Sequence, residues 1–569
     1  MLKRSALLLL CPNIAAAFTA WKQNPHHYVR KKKTTKLFLD GEGMAGGKFN
    51  KHLLGDILRS LQPRYLSQVT DSISGAVRGS VSMNLTALEL KYQMKPTSGP
   101  GTWEELSKML NNREKTFREK VSQGEIHNAL SKKRIFGNEK PRVTLYRDSA
   151  SWCPYCQKCW IALEEKGISY DVVKVDMNCY AGGSKPGKFL DIQPSGNLPC
   201  AVFEDGTVVG ESDEILRRID EMTGTNKNKK LLPKVGSEED QFMKNLCDDG
   251  RNSLERRLFG EWMWYLTGKR KPLEYRERYE SMLDEVESVL QNSKGGPYFL
   301  GKDLSMADIK FIPFLERQSA SLLYFKGFNV RNESRWPNLV KWFQAMESRP
   351  SYLPTKSDMY THSGALPPQL GAGCTYGTDG DDNVKDYIDA LTIPLSSERI
   401  IPEKGLEWVE PGWNLKDTKK SRMEAAERII HNKDNIIQFA TRGAGVPGLP
   451  AASAPLADPR AVSNDAAGLA VDLFLRYTIQ RLLQPKNGSA SREAAMKEDI
   501  VALSKGGMDT VKGTVACLDY VRQRIGVPRD MSYGAAVELR RELRNVSLCI
   551  LESMELEEET LLEPQESVS

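Results

Sequence analysis

The chain has 569 residues, 40% of them hydrophobic and 27% charged. That is an ordinary soluble composition with room for three or four folded units at ~100–200 residues each. Its longest apolar stretch, Ala6 to Ala17, is interrupted by Pro12 and Asn13 and falls short of the ~20 residues a bilayer span needs, so no integral membrane segment is expected. The net charge of +6 is not a nucleic-acid signal. Eight basic residues and no acidic ones precede Leu39, and without them the chain is slightly acidic, which removes the electrostatic support a nucleic-acid partner requires. Ten cysteines are too sparse for a disulfide scaffold. Three of them, Cys153, Cys156 and Cys159, stand together, a distribution suited to redox or metal chemistry.

Residues 1–17 have a signal-peptide layout: Lys3 and Arg4, the apolar run Ala6 to Leu10, then the small residues Ala15, Ala16 and Ala17. Residues 18–45 open on Phe18 and continue basic and free of acids to Leu39. The pair resembles the bipartite plastid presequence of algae with secondary plastids, a signal peptide ahead of a transit peptide. That implies a plastid location; a plain secretory signal or a mitochondrial leader shares parts of the layout.

Residues 46–140 are polar and weakly helical, with apolar stripes at Leu53–Leu61 and Trp103–Leu110 broken by Pro96 to Thr102. This segment reads as a packing extension. From 141 to 225 the pattern is strand-helix-strand, then strand-strand-helix. The strands are expected at 143–147, 170–176, 199–204 and 207–209, the last two joined by Asp205-Gly206, and the helices at 154–166 and 212–222. A short hairpin joins antiparallel neighbours, and the first crossover gives a parallel pair. Residues 237–355 are helical, with Trp262, Trp264, Tyr265, Phe311, Phe314 and Trp342 expected in the core. Residues 356–420 read as a Gly-, Pro- and Asp-rich linker, 421–551 as a last helical block with a loop at 443–459, and 552–569 as a solvated acidic tail.

The strongest chemical signal is Trp152-Cys153-Pro154-Tyr155-Cys156, after a strand and opening a helix. A cysteine at a helix N-terminus meets unsatisfied backbone N–H groups and the positive end of the dipole, and both favour a thiolate. Pro154 suits the first helical position. Cys153 is therefore the candidate nucleophile, and Cys156, three residues on, the candidate resolver. The Cys-x2-Cys-x2-Cys run also admits an iron–sulfur or zinc reading, but continuous helix follows and no second Cys/His cluster completes a ligand set. No metal is expected. Cys159, Cys179 and Cys247 read as small buried apolar residues; Cys200, beside Pro199, receives no role.

A second signal is Gly196-Asn-Leu198-Pro199 before a strand, where a cis proline turns the backbone so that the preceding residue offers its N–H and C=O to an extended peptide. The third is Glu211-Ser212 at a helix start. Ser212 can cap the helix and donate to a carboxylate, and Glu211 can pair with an ammonium group, which together suit an α-amino acid head.

In this order and spacing the three elements resemble the N-terminal domain of cysteine-type glutathione transferases, the omega, lambda and dehydroascorbate reductase-like classes, and also glutaredoxins. The resemblance implies an α/β thioredoxin-like domain, an all-α second domain and, with 421–551, an additional helical block. It implies glutathione as cosubstrate, bound by Leu198, Pro199, Glu211 and Ser212 opposite Cys153, and a possible homodimer. The segment Tyr298 to Ile309 resembles the family's helix-capping sequence, with Ser305 and Asp308 as a structural capping box. In overall look the chain is similar to long plastid transferase-like proteins of plants and algae, which also carry a segment like Arg524-Ile-Gly-Val-Pro-Arg-Asp-Met531-Ser532. Cys156 departs from most transferases toward glutaredoxins.

The expected activity is glutathione-dependent thiol transfer or reduction, on glutathionylated proteins or a small oxidised or electrophilic substrate. Conjugation, with Thr144, Tyr146 or Ser151 near the sulfur, is the less favoured chemistry. A non-catalytic glutathione-binding or assembly protein is the rival, supported by the length of chain outside the core.

Overall fold

The computed structural model describes residues 81–94, 99–110, 112–176, 185–226, 229–248, 250–370, 373–375, 412–413, 417–448, 458, 460–485 and 489–562. All of them lie in one compact unit, Pro63–Ser569. The readings of the leader, of Leu53–Leu61, of Cys179, of most of the linker and of the extreme C-terminus lie outside the described residues.

The sheet follows from alternation. In β2 (Val143–Asp148) Val143 and Leu145 are buried while Thr144 and Tyr146 are half-buried, the period-2 pattern of a strand. β3 (Tyr170–Val175) runs parallel to it, with Val143 opposite Tyr170. β4 (Cys200–Phe203) pairs antiparallel on its other side, with Tyr146 opposite Cys200, and β5 (Val208–Val209) completes the hairpin. One strand was not anticipated. β1 (Lys133–Arg134), from the N-terminal extension, pairs antiparallel with β3 and gives the order β1-β3-β2-β4-β5. The extension thus covers an edge that would otherwise present unpaired backbone groups.

Helix α1 (Pro154–Lys166) crosses from β2 to β3, and Cys156 through Lys166 are all buried. A helix buried on every face must pair its polar side chains, and this one does. Gln157 donates to Glu316 at 2.9 Å, Lys158 to Asp213 at 2.7 Å and Lys166 to the Asp220 carbonyl at 2.8 Å. It stops at Gly167, φ +64°, where a Cβ would lie 2.1 Å from Thr225 Oγ1, so the left-handed cap and the close approach both call for glycine. α2 (Gly187–Ile192), another element missed from sequence, precedes β4, and α3 (Ser212–Glu221) follows β5.

The helical half comprises α4 (Glu238–Cys247), α5 (Leu254–Thr267), α6 (Pro272–Gln291), α7 (Met306–Lys326) and α8 (Pro337–Glu347). It shares one apolar core with the sheet, from Trp160 and Leu163 through Phe299 and Phe311 to Trp342. The expected capping box is present: Asp308 accepts from the Ser305 N–H at 2.8 Å and Oγ at 2.6 Å, and also from Trp342 Nε1 at 2.8 Å. Trp264 corrects the core reading. It is 39% exposed and stacks on Tyr275. Residues 356–369, read as the start of a linker, instead form α9 (Met359–Gln369), begun by Asp358 accepting from the Thr361 N–H. Pro367 and Pro368, which suggest a linker in sequence, sit in its last turn.

The C-terminal block is built from α10 (Thr418–Ala440), α11 (Gly468–Leu483), α12 (Ser489–Ser504), α13 (Met508–Arg522) and α14 (Tyr533–Leu562). The last helix continues into the segment expected to be a solvated tail. This block has its own apolar core, and Leu85, Leu88 and Leu106 of the N-terminal extension belong to it. Trp103 Nε1 donates to Asp472 at 2.6 Å and Lys91 Nζ to Asp499 at 2.6 Å. The segment Arg524–Ser532 meets α9. Val527 N–H donates to Thr361 Oγ1 at 3.0 Å, Ser357 Oγ to the Val527 carbonyl, and Arg540 to Asp358 at 2.6 Å.

Candidate active site

Cys153 is the N-cap of α1, with extended backbone (φ −67°, ψ 116°) and no side-chain capping bond, and Pro154 takes the first helical position. Its sulfur is therefore not consumed by the helix start. Cys156, one turn on, hydrogen-bonds to it. The two sulfurs and a carboxylate oxygen of Asp148 lie within 4.8 Å of one another. Both thiols are nearly closed to solvent, Cys153 at 6% and Cys156 at 1% exposure. Burial, then the hydrogen bond and charge of Cys153, push the Cys156 thiol well above its ordinary range, so Cys156 stays protonated and donates to its neighbour.

The loop before the helix is held taut. Asp148, at the end of β2, accepts from the N–H groups of Trp152 at 2.8 Å and Cys153 at 3.3 Å. Ser151 has φ +59°, a left-handed conformation that costs a non-glycine residue about 1–3 kcal/mol and marks a constrained site. Arg147 holds it there, donating to Ser151 Oγ at 2.8 Å, the Asp148 carbonyl at 2.9 Å and the Ala129 carbonyl at 2.8 Å while lying 4.3 Å over the Trp160 ring. On the opposite side the helical half contributes Arg317, whose guanidinium donates to the Trp152 carbonyl and, at 3.0 Å, to Gln157 Oε1. Asp148, Arg147 and Arg317 were missed in sequence. An aspartate or arginine at a strand end or in mid-helix carries no local pattern that marks it.

The remaining candidates are placed as follows. The Leu198–Pro199 peptide is cis, with Pro199 buried and Leu198 half-buried ahead of β4. Glu211 is exposed and is itself the N-cap of α3, without a side-chain capping bond. Ser212, expected to cap, is instead the first helical residue, and its carbonyl accepts from Cys159 Sγ at 3.7 Å, which brings α3 against α1. The next residue, Asp213, pairs with Lys158 at 2.7 Å and Lys310 at 3.4 Å. Burial opposes its charge, but the two lysines outweigh it and hold its carboxyl far below the usual range. Tyr155 packs edge-on to Phe314 at 5.5 Å and accepts from Arg256 at 3.3 Å. Cys159 and Cys247 are buried, and burial raises both thiols, as small apolar residues behave. Cys200 lies on β4 and burial pushes its thiol up to about 11.

Among the described residues, Asp148, Cys153 and Cys156 are the one group of three donors close enough to share a metal ion. One oxygen of the Asp148 carboxylate already accepts two backbone N–H groups.

A sulfur at a helix start, a cis proline before the adjacent strand and an all-helical half packed on the same core make a thioredoxin-like domain joined to an all-helical one. Residues 152–222 match the family model "Glutathione S-transferase, N-terminal domain" and residues 266–353 the model "Glutathione S-transferase, C-terminal domain". The chain is similar to glutathione S-transferases over this unit, and the relatives it matches are named as glutathione S-transferases. It is 27% identical over 207 residues to glutathione S-transferase L1 of Arabidopsis thaliana, covering 36% of this chain and 79% of that one. To a probable cytosolic glutathione S-transferase DHAR1 of Oryza sativa subsp. japonica it is 26% identical over 211 residues, 37% of this chain and 86% of that one. Among solved structures, glutathione transferase Omega 3C from Trametes versicolor aligns with 26% identity and a TM-score of 0.33, covering 39% and 86% of the two chains.

Proposed function

We propose that residues 141–355 work as a glutathione-dependent thiol transferase or reductase with Cys153 as nucleophile. The observation that carries this reading is the dithiol at the start of α1, where a resolving thiol donates to a sulfur that no other role consumes. The Cys153 thiolate attacks the glutathionyl sulfur of a glutathionylated substrate. The substrate thiolate leaves with a proton, and a Cys153–glutathione disulfide remains. A second glutathione thiolate, or Cys156, then attacks that disulfide. The first route yields oxidised glutathione and free Cys153; the second yields glutathione and a Cys153–Cys156 disulfide that two further glutathiones reduce.

The cis Leu198–Pro199 segment suits the cysteinyl backbone of glutathione. The start of α3 at Glu211 and Ser212 suits its γ-glutamyl head, since a helix N-terminus favours carboxylate. Relatives named for transferase and for DHAR-type enzymes support the class of activity. A plastid location fits the layout of residues 1–45, and two Arabidopsis relatives are named as chloroplastic.

The test is glutathione-dependent reduction of a small mixed disulfide by the full chain beside Cys153→Ser and Cys156→Ser. Loss of turnover in the first and retention in the second supports a monothiol route; loss in both supports the dithiol route. Glutathione binding without turnover in the unmutated chain would instead favour a binding protein that keeps the fold.

A further inference from the structure

The cation beside the reactive cysteine does not come from the half that carries it. Arg317 lies in the middle of α7, in the helical half, and is 4% exposed. One arm of its fork reaches the Trp152 carbonyl; the other reaches Gln157 Oε1 at 3.0 Å and the carbonyl of Pro313 in its own helix. Trp152 and Gln157 stand immediately before and four residues after Cys153, and the Gln157 N–H donates to the Cys153 carbonyl at 3.0 Å. The guanidinium is therefore pinned to the first turn of α1 from both sides of the sulfur.

A buried guanidinium is costly unless an anion stands near it. Its sequence neighbour Glu316 supplies the largest favourable charge and is itself held by other donors. That carboxylate accepts from His362 at 2.7 Å, from the Tyr352 hydroxyl at 2.9 Å, from the Ser357 N–H at 2.8 Å and from Gln157 Nε2 at 2.9 Å. Burial opposes the charge on Arg317, and the groups whose negative charge would favour it are Glu316 first, then the sulfur of Cys153 and the carboxylate of Asp148. Arg147, the other guanidinium near the dithiol, sits on the Cys156 side, and its Nη atoms are taken by Ser151, Asp148 and Ala129.

We propose that Arg317 is a positioning residue for the Cys153 thiolate, so that the helical half, and not the thioredoxin half alone, sets the reactivity of the cysteine. This rests on the reading of Cys153 as the nucleophile. The fork fixes the carbonyl before the sulfur and adds a full positive charge to the partial charge of the helix start, where Arg317 and Cys153 are both nearly closed to solvent. The other titratable groups facing the sulfur are Asp148 from β2 and Tyr155, Cys156 and Cys159 from α1.

The experiment is site-specific alkylation of Cys153 by iodoacetamide, read by mass spectrometry from pH 4 to 10, in the full chain carrying Cys156→Ser. Into that background go Arg317→Gln, Arg317→Met and Arg317→Lys. The two neutral variants are expected to move the pH profile up by about one unit, a roughly tenfold loss of labelling on its acid side, while the lysine variant stays near the parent. Circular dichroism selects the folded variants, and either neutral one suffices. A folded neutral variant with an unmoved profile overturns the proposal. So does a lysine variant as slow as the neutral ones, since a role limited to the two hydrogen bonds would not be rescued by a point charge. A parent in which Cys153 fails to label at any pH would instead sink the nucleophile reading itself.

Discussion

The two ends of α1 are built on opposite plans. At the C-terminal end nearly every polar group is saturated. Glu165 accepts from both arms of Arg349 at 2.6 and 2.7 Å, and from Lys229 and Ser351. Glu164 accepts from Arg134 at 3.1 Å and the Tyr170 hydroxyl at 2.7 Å, with His127 at 3.4 Å. Four parts of the chain are thus tied to one helical turn: the N-terminal extension, β3, the segment after α3 and the end of the helical half. At the N-terminal end the carbonyls, N–H groups and cations are equally well placed, yet the Cys153 sulfur caps nothing and Ser151 holds a strained φ. A helix anchored at one end can hold a reactive group at the other with its sulfur bonded only by the neighbouring thiol of Cys156, which is what preorganisation requires.

The largest expected effect comes from breaking the anchored end. Glu165→Ala leaves Arg349 and Lys229 without their carboxylate and is expected to cost about 3–5 kcal/mol, as removal of one partner from a buried ion network does, read by urea unfolding. Cys153 in the protein that remains folded should alkylate at the parent rate; a large change there would show that the two ends are not separable. The same residue gives a pH signature. Burial alone would raise the Glu165 carboxyl, but Arg349, Lys229 and Ser351 hold it at about 2. Its contribution is therefore complete above the unfolded value of ~4.3 and is lost as pH falls through that value toward 2. Thermal unfolding from pH 6 to 3 should show a steep loss for the parent and a flatter one for Glu165→Gln.

Next in size is Gly167→Ala. A left-handed cap with a Cβ driven against Thr225 is expected to lose about 1–3 kcal/mol, with no change in Cys153 labelling. Arg540→Met at the contact of the C-terminal block with α9 removes the bonds to Asp358 and the Ile525 carbonyl. About 1–3 kcal/mol of stability should go with it, measured by the same denaturant curve. The smallest effect is expected from Lys229→Met, a partly exposed partner of Glu165 worth at most about 1 kcal/mol.

The thioredoxin-like half was readable because local patterns coincided: alternation in β2 and β3, Pro154 and Gly167 bounding α1, and Asp205-Gly206 between β4 and β5. Each strand or helix expected there formed within a residue or two of its bounds, while α2 had no pattern that announced it. β1 escaped because Lys133 and Arg134 have no apolar alternation and pair only because β3 offers an open edge. α9 escaped because Pro367 and Pro368 mimic a linker. Ser212 stands one position inside the helix and not at its cap, since a Glu-Ser pair does not reveal which residue is the last outside it.

By itself the sequence determined what short-range geometry dictates: the order of the strands and helices, the cysteine at a helix start and the glycine that ends the helix. Only the tertiary structure decided which distant groups converge on that cysteine. Asp148, Arg147 and Arg317 gather around the dithiol, and Leu85, Leu88 and Leu106 of the extension join a core more than 300 residues further along the chain. Periodicity records which face of an element is buried. It does not record what that face is buried against, because contact between distant segments depends on packing that no local pattern encodes.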